Sequence, residues 1–120
     1  MIKILHVYKS YYPETIGGVE RSIKNLCNGL NKLNVQSAVL TTSNTTRKKK
    51  SLIKFKKNFE VSKTPFSLGF ILNFKSISNK FDIIHYHFPW PFMDLAHFFS
   101  GIKKPTVLTY HSDIVNQKFL

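Results

Sequence analysis

The chain is poor in cysteine and in long apolar runs, and each shortage removes a class of protein. Cys27 is the one cysteine in 120 residues, so no intramolecular disulfide can form. Its place on the apolar side of a predicted helix indicates a packed thiol rather than a nucleophile. No apolar segment reaches the roughly 18 residues of a membrane-spanning helix, and the N-terminus lacks the pattern of a secretory signal. We therefore expect a soluble or peripheral protein in a reducing cytoplasm.

Acidic side chains are also scarce, with 6 carboxylates against 18 basic residues and a formal net charge of +12. Such a field attracts anions of any kind, including nucleic acids, anionic lipid headgroups and phosphorylated substrates. Nucleic acid is the weakest of these partners, because no zinc-finger, homeodomain or aromatic RNA-binding signature is present. A phosphorylated substrate and an anionic membrane surface remain.

The chain contains short apolar runs that alternate with segments in which apolar residues recur every three or four positions. Short runs of apolar residues predict strands over residues 2–8, 35–42, 59–62, 81–88 and 106–110. Apolar residues at intervals of three and four predict a helix from Val19 to Leu33, ended by Asn34 in the left-handed conformation. Two further helices are predicted over 66–77 and 92–99, the second closed by Gly101.

This alternation of strands and helices predicts an α/β fold with a parallel sheet, as a single domain over residues 1–120. Ligands of such sheets bind beyond the carboxyl ends of the strands, where the strand order reverses. The candidate site residues are therefore those just past each strand. They lie in the segments 9–18, 41–46, 85–90 and 111–113.

Two adjacent glycines, Gly17 and Gly18, lie between the first strand and the first helix. They match neither the dinucleotide fingerprint nor the P-loop. Amides at a helix N-terminus without β-carbons nearby can approach a phosphate closely, which makes the pair a candidate anion site. A tight turn that needs positive φ is the other interpretation, and both stay open at this point.

Histidines are the second group of candidates. His85 and His87 share one face of a predicted strand, but they hold a metal only if a third ligand comes from elsewhere, so lining the crevice is the simpler role. His6 lies in the first strand and is expected in the core or the crevice wall. His111 follows the last strand, where it can bond a ligand oxygen or move a proton, with Asp113 placed to orient it.

The segment 43–59 is polar and then heavily basic, and we interpret it as a surface loop. Its cations are Arg47, Lys48, Lys49, Lys50, Lys54, Lys56 and Lys57. Apolar side chains alternate with these cations, so the segment can lie on an anionic membrane surface. A solvated loop is the alternative.

Three segments together resemble the N-terminal half of family 4 glycosyltransferases. They are YYPETIGGVER at 11–21, DIIHYHF at 82–88 and KPTVLTYHSD at 104–113. Members of that family are retaining enzymes with two Rossmann-like domains in the GT-B architecture. The resemblance implies transfer of a sugar from a nucleotide-sugar to a polysaccharide or glycolipid acceptor, without a metal or other cofactor.

The resemblance also implies roles for individual residues. Gly17 and Gly18 would contact the phosphates of the donor, and His111 would lie near the reacting sugar. The acceptor side of the cleft would be lined by His85 and His87, with Asp113 nearby. Such domains often meet their acceptors at membranes through basic and apolar patches, which favours a peripheral location at the inner face of the plasma membrane.

The sequence departs from the family in lacking the Glu-x7-Glu pair of the C-terminal, donor-binding domain. The family's N-terminal domain also usually continues beyond this length. We therefore expect an incomplete N-terminal domain, either a fragment or a truncated product. Alone it should be nearly inactive, because one wall of a cleft leaves the transition state in water. The alternative function is a non-catalytic membrane- or anion-binding module.

Overall fold

Strands and helices alternate along the part of the chain that the computed structural model describes, residues 1–61, 64–88 and 90–110. The strands are β1 (Lys3–Val7), β2 (Gln36–Ser43), β3 (Arg47–Lys48), β4 (Leu52–Lys56), β5 (Phe59–Val61), β6 (Thr64–Phe66), β7 (Ile83–Phe88) and β8 (Thr106–Tyr110). The helices are α1 (Gly18–Lys32), α2 (Leu68–Ser78) and α3 (Phe92–Ser100). The predicted α/β class is confirmed.

One sheet dominates the fold, with its strands in the order β3-β4-β2-β1-β7-β8. All neighbours pair in parallel except β3, which pairs antiparallel with β4 at one edge. The order reverses at β1, since the chain moves outward through β2 to β4 and then continues on the other side with β7 and β8. In Rossmann-like sheets this switch point marks the crevice where ligands bind.

Helix α1 begins and ends one residue before its predicted bounds, and it covers its side of the sheet incompletely. Asn34 ends it with a φ of 63°, the left-handed stop expected from the sequence. Ile23 is fully buried, whereas Leu26 and Leu33 of the predicted apolar face are 37% and 72% exposed. Burial raises the pKa of the Cys27 thiol to about 11, which fits a packed side chain.

Helices α2 and α3 lie on the other face of the sheet over an aromatic core. Successive residues of a strand point to opposite faces, so Leu40 of β2 joins this core while Val39 packs with the residues of α1. Ser67 caps α2 by accepting a hydrogen bond from the Phe70 N–H at 3.2 Å. Gly101, with a φ of 65°, closes α3 as predicted.

The basic segment 43–59 is not the surface loop that we predicted. It contains β4, an inner strand that pairs in parallel with β2, and the short edge strand β3. Phe55 is 3% exposed and packs on the α2 side of the sheet. Successive side chains of β4 point to opposite faces, so apolar and basic residues alternate along this strand.

The last two strand predictions need smaller corrections. The strand predicted at 59–62 exists as β5, but it pairs with β6 in a separate hairpin rather than in the main sheet. The strand predicted as buried at 106–110 is β8, which is an edge strand with Leu108 64% exposed. Among the described residues, none of the helices has the length and hydropathy that a bilayer-spanning segment requires.

Candidate functional site

A cleft of about 360 Å³ lies at the carboxyl end of the sheet, between the loop after β1 and the ends of β2 and β4. Its lining includes Lys9, Ser10, Thr42, Ser43, Asn44 and Lys57. Hydroxyl, amide and ammonium groups, together with the carboxylates of Glu14 and Glu60, therefore face a space beyond the carboxyl ends of the strands, the edge of an α/β sheet where ligands bind. This cleft is the candidate site.

The loop between β1 and α1, which forms one side of the cleft, is held by a buried lysine. Lys54 on β4 is 4% exposed, and its Nζ donates to the Tyr12 carbonyl at 2.8 Å. The same ammonium pairs with the Glu14 carboxylate, to which the Ser43 hydroxyl donates at 3.1 Å. The hydrogen bond from Lys54 holds the pKa of the Glu14 carboxyl below its usual range. The loop is thus fixed from two neighbouring strands.

The cations predicted to form one anion-binding patch in the segment 43–59 therefore lie in different environments. Lys54 does not belong to the patch, because its ammonium is buried against the loop, and Lys57 lines the cleft and pairs with Glu60 at 2.7 Å. The other predicted cations, Arg47, Lys48, Lys49, Lys50 and Lys56, are exposed. Of these, Lys48, Lys49 and Lys50 join Lys3 and Lys80 around a groove of about 420 Å³ at the amino end of the sheet. Most of the basic surface therefore lies away from the cleft.

Gly17 and Gly18 stand where predicted, at the N-terminus of α1, but neither has a positive φ. The tight-turn interpretation is therefore wrong. A β-carbon on Gly17 would lie 2.8 Å from Oε1 of Glu20, whereas one on Gly18 would meet no atom within 4 Å. Gly17 makes room for a carboxylate, and Gly18 faces open space.

Glu20 lies in the first turn of α1 as expected, but it is buried, with an exposed fraction of 5%. Its Oε2 accepts a hydrogen bond of 2.6 Å from the Ser10 hydroxyl, which joins the helix to the loop after β1. No side chain of the described residues caps the first turn of α1. The N–H groups there keep their capacity to bind an anion.

Three histidines meet at the switch point between β1 and β7. His6 and His85 are register partners on these parallel strands, and Nδ1 of His6 is 3.4 Å from Nε2 of His87. Nε2 of His85 is 2.7 Å from the Thr109 hydroxyl. Burial, with His85 nearby, lowers the pKa of His6 to about 4. The sequence did not predict that His6 lies beside His85 and His87, because this depends on the register of two strands far apart in the chain.

The remaining predicted site residues follow β8 in the sequence. His111 and Asp113, predicted near the reacting sugar and the cleft, lie outside the described residues. Strand β8, which ends at Tyr110, runs parallel to β7 with Phe88 opposite Tyr110. The roles given to His111 and Asp113 stay predictions.

Comparison with known proteins gives a consistent relationship over nearly the whole chain. Residues 16–120 match the model of Glycosyltransferase Family 4. The chain is 43% identical over 125 aligned residues to O-antigen chain mannosyltransferase C of Escherichia coli, covering 99% of this chain and 34% of that protein. It is 38% identical over 127 residues to D-rhamnosyltransferase WbpZ of Pseudomonas aeruginosa, covering 99% and 33%. The chain thus spans about a third of the length of the curated relatives it matches.

Proposed function

The chain belongs to Glycosyltransferase Family 4, and we propose that it is the acceptor-side domain of a retaining GT-B enzyme. Such an enzyme would move a sugar from a nucleotide-sugar to a polysaccharide or glycolipid. The observation that carries the proposal is the polar cleft at the carboxyl end of the sheet, whose Ser10 is hydrogen-bonded to Glu20 in the uncapped first turn of α1. Both relatives are named as sugar transferases, one of them acting on an O-antigen chain, so a non-catalytic module is not favoured.

In the proposed reaction, the donor diphosphate lies over Gly18 against the first-turn amides of α1. These N–H groups and the positive end of the helix dipole stabilise the charge that grows on the leaving phosphate. The open space around Gly18 supports this arrangement, since no protein atom lies where its side chain would be. Lys9 and Lys57 line the polar cleft together with the carboxylates of Glu14 and Glu60, and Glu60 is paired with Lys57.

The proposed transfer places His111 beside the reacting sugar, with Asp113 near it and with His85 and His87 toward the acceptor. It uses no metal ion or other cofactor. In an active enzyme that contains this chain, His111→Ala should lower turnover by about 100-fold while the circular dichroism spectrum stays the same. Unchanged turnover would remove His111 from the chemistry.

A chimera tests the proposed function directly. This chain would replace the matching third of the Escherichia coli mannosyltransferase, and transfer from GDP- and UDP-sugars would be measured. We expect transfer by the chimera and none by the 120-residue chain alone, because one wall leaves the reacting groups in water. A folded chimera without transfer, or robust transfer by the chain alone, would contradict this account.

The same chimera tests the phosphate site. Gly18→Ala should raise the KM for the donor by about tenfold, because the new methyl group occupies the space proposed for the diphosphate. Gly29→Ala is the matched control, since Gly29 also lies on α1 and its β-carbon would meet no atom within 4 Å. Equal donor KM values for the two variants would place the diphosphate elsewhere.

We further propose a location at the cytoplasmic face of the membrane, where a lipid-linked acceptor would be presented. The groove lined by Lys3, Lys48, Lys49, Lys50 and Lys80 supports this, because each cation near an anionic surface contributes about 1 kcal/mol. Replacing Lys48, Lys49 and Lys50 by serine should abolish co-sedimentation with vesicles that contain phosphatidylglycerol. A variant with Arg21, Lys24 and Lys32 of α1 replaced is the charge-matched control. Equal binding by both variants would refute the proposed surface.

A further inference from the structure

The histidines at the switch point offer a second chemistry, metal binding, besides the acceptor-side position proposed for His85 and His87. His6, His85 and His87 bring one ring nitrogen each within 4.8 Å of one another. We propose that these three residues form a binding site for a divalent transition-metal ion such as Zn²⁺. The proposal does not depend on the glycosyltransferase function, and it assigns the ion no step in sugar transfer.

The spacing of the first two ligands suits a tetrahedral ion. Zn–N bonds of about 2.0–2.1 Å at tetrahedral angles separate two ligand nitrogens by about 3.3–3.4 Å. Nδ1 of His6 and Nε2 of His87 are 3.4 Å apart. This separation is longer than the roughly 2.9–3.0 Å that is usual for an N–H···O hydrogen bond. The separation of these two nitrogens therefore matches that of two ligands on one tetrahedral ion.

The sheet holds all three rings from rigid strands. His6 and His85 are opposite each other on β1 and β7, and His87, two residues further along, points to the same face. The ring centroid of His6 is 5.2 Å from that of His85 and 5.6 Å from that of His87. Sites built on regular elements keep their ligands more precisely than sites on loops. The rings of His85 and His87 are stacked, with their centroids 4.1 Å apart.

The surroundings of the cluster favour the ligand form of each imidazole. Nε2 of His85 is 2.7 Å from the Thr109 hydroxyl, the kind of outer contact that orients a metal-binding histidine. His6 is fully buried, which removes its ring from competing solvent. Its Nε2 has no hydrogen-bond partner within the described segments, so hydrogen bonding alone does not satisfy this side chain.

The donor set also limits which ion fits. Three imidazoles with no carboxylate, as the described residues give, suit Zn²⁺, Co²⁺, Ni²⁺ or Cu²⁺ and not the oxygen-seeking Mg²⁺ or Ca²⁺. A fourth position remains for water or an anion, as in other three-histidine zinc sites. The class of ligand is therefore a nitrogen-preferring divalent cation.

Calorimetric titration of the tag-free 120-residue chain with Zn²⁺ tests the proposal. We expect one ion per chain with a Kd below about 10 µM, and no heat from Mg²⁺ at the same concentrations. Titration with Co²⁺ should give the visible absorption of a four-coordinate ion with nitrogen ligands. A folded chain that shows no saturable Zn²⁺ binding would overturn the proposal.

Substitutions test whether these histidine side chains bind the Zn²⁺ ion. His85→Ala and His87→Ala should each weaken Zn²⁺ binding by at least about tenfold, because loss of an outer partner alone commonly costs that much. Thr109→Val should weaken it by about tenfold without removing a ligand. His97→Ala is the control, since Nδ1 of His97 is 2.5 Å from the Tyr86 hydroxyl on the opposite face. Affinities that stay equal in His85→Ala, His87→Ala and the parent would refute the site.

Discussion

The two faces of the central sheet differ in what they bury. Under α2 and α3, 16 buried apolar residues form one cluster, whereas the corresponding cluster under α1 has 3 among the described residues. The α1 face instead buries polar groups, including Lys54, Glu20 and His6. Apolar burial is the main favourable term in folding, and buried polar groups need specific partners. One face therefore supplies most of the stability, and the other carries the cleft and the histidine cluster.

The largest effect should come from the aromatic face. Phe70 is fully buried, with the rings of Phe55, Phe74 and Trp90 around it. Phe70→Ala should lower the free energy of unfolding by about 3–5 kcal/mol, since it removes a large side chain and leaves a cavity. Urea unfolding measures this change.

The control for that variant lies on the same helix. Leu72 is 71% exposed, so Leu72→Ala should change the free energy of unfolding by no more than about 0.5 kcal/mol. Similar losses in the two variants would mean that the aromatic face does not supply the stability assigned to it.

On the α1 face, the largest effect should come from Lys54. Lys54→Met nearly keeps the length of the side chain but removes the donor to the Tyr12 carbonyl and leaves the Glu14 carboxylate with Ser43 as its remaining donor. We expect the free energy of unfolding to fall by about 1–3 kcal/mol, and hydrogen exchange in residues 9–17 to become faster. Lys56→Met is the matched control, because Lys56 is exposed on the same strand. Equal exchange rates in both variants would show that the loop does not depend on Lys54.

The pH dependence of stability should distinguish Glu14, whose partner Lys54 is buried, from Glu60, whose partner Lys57 is partly exposed. The folded pKa of Glu14 is lowered, so its contribution is present above the unfolded pKa and is lost as pH falls through the folded pKa. Glu14→Gln should therefore cost about 1 kcal/mol at neutral pH and nothing in strong acid.

Urea unfolding from pH 7 to pH 2 follows this difference between the parent and Glu14→Gln. Glu60→Gln is the control, because Glu60 is paired with Lys57 at the surface and its variant should show a smaller difference. A gap between the parent and Glu14→Gln that is constant with pH would show that charge is not the cause.

The aromatic face was predictable from the sequence to a greater degree than the α1 face. Apolar periodicity located α2, α3 and β7, because a helix or strand that buries one face must repeat its apolar residues at that period. Asn34 and Gly101 marked helix ends correctly for the same local reason, since both adopt the left-handed conformation.

The polar contacts of the α1 face depend on residues far apart in the chain. Lys54 was predicted in a surface patch, because its partner Glu14 lies 40 residues away and a run of lysines is typical of a solvated loop. His6 meets His87 across 81 residues, through a strand register that no local pattern specifies. The carboxylate beside Gly17 likewise depends on the side-chain conformation of Glu20, which composition and spacing do not determine.

The two glycines at the N-terminus of α1 should give the smallest effects on stability, with opposite signs. Gly18→Ala should raise the free energy of unfolding by about 0.5 kcal/mol, because alanine restricts the unfolded chain and its β-carbon meets nothing. Gly17→Ala should lower it by about 0.5 kcal/mol, because alanine is a poor N-cap and displaces the Glu20 carboxylate from Ser10. Thermal unfolding of the two variants measures both signs. If Gly18→Ala stabilises the fold but raises the KM for the donor, the glycine at that position serves ligand binding. The α1 face would then be less stable than it could be because it binds the donor.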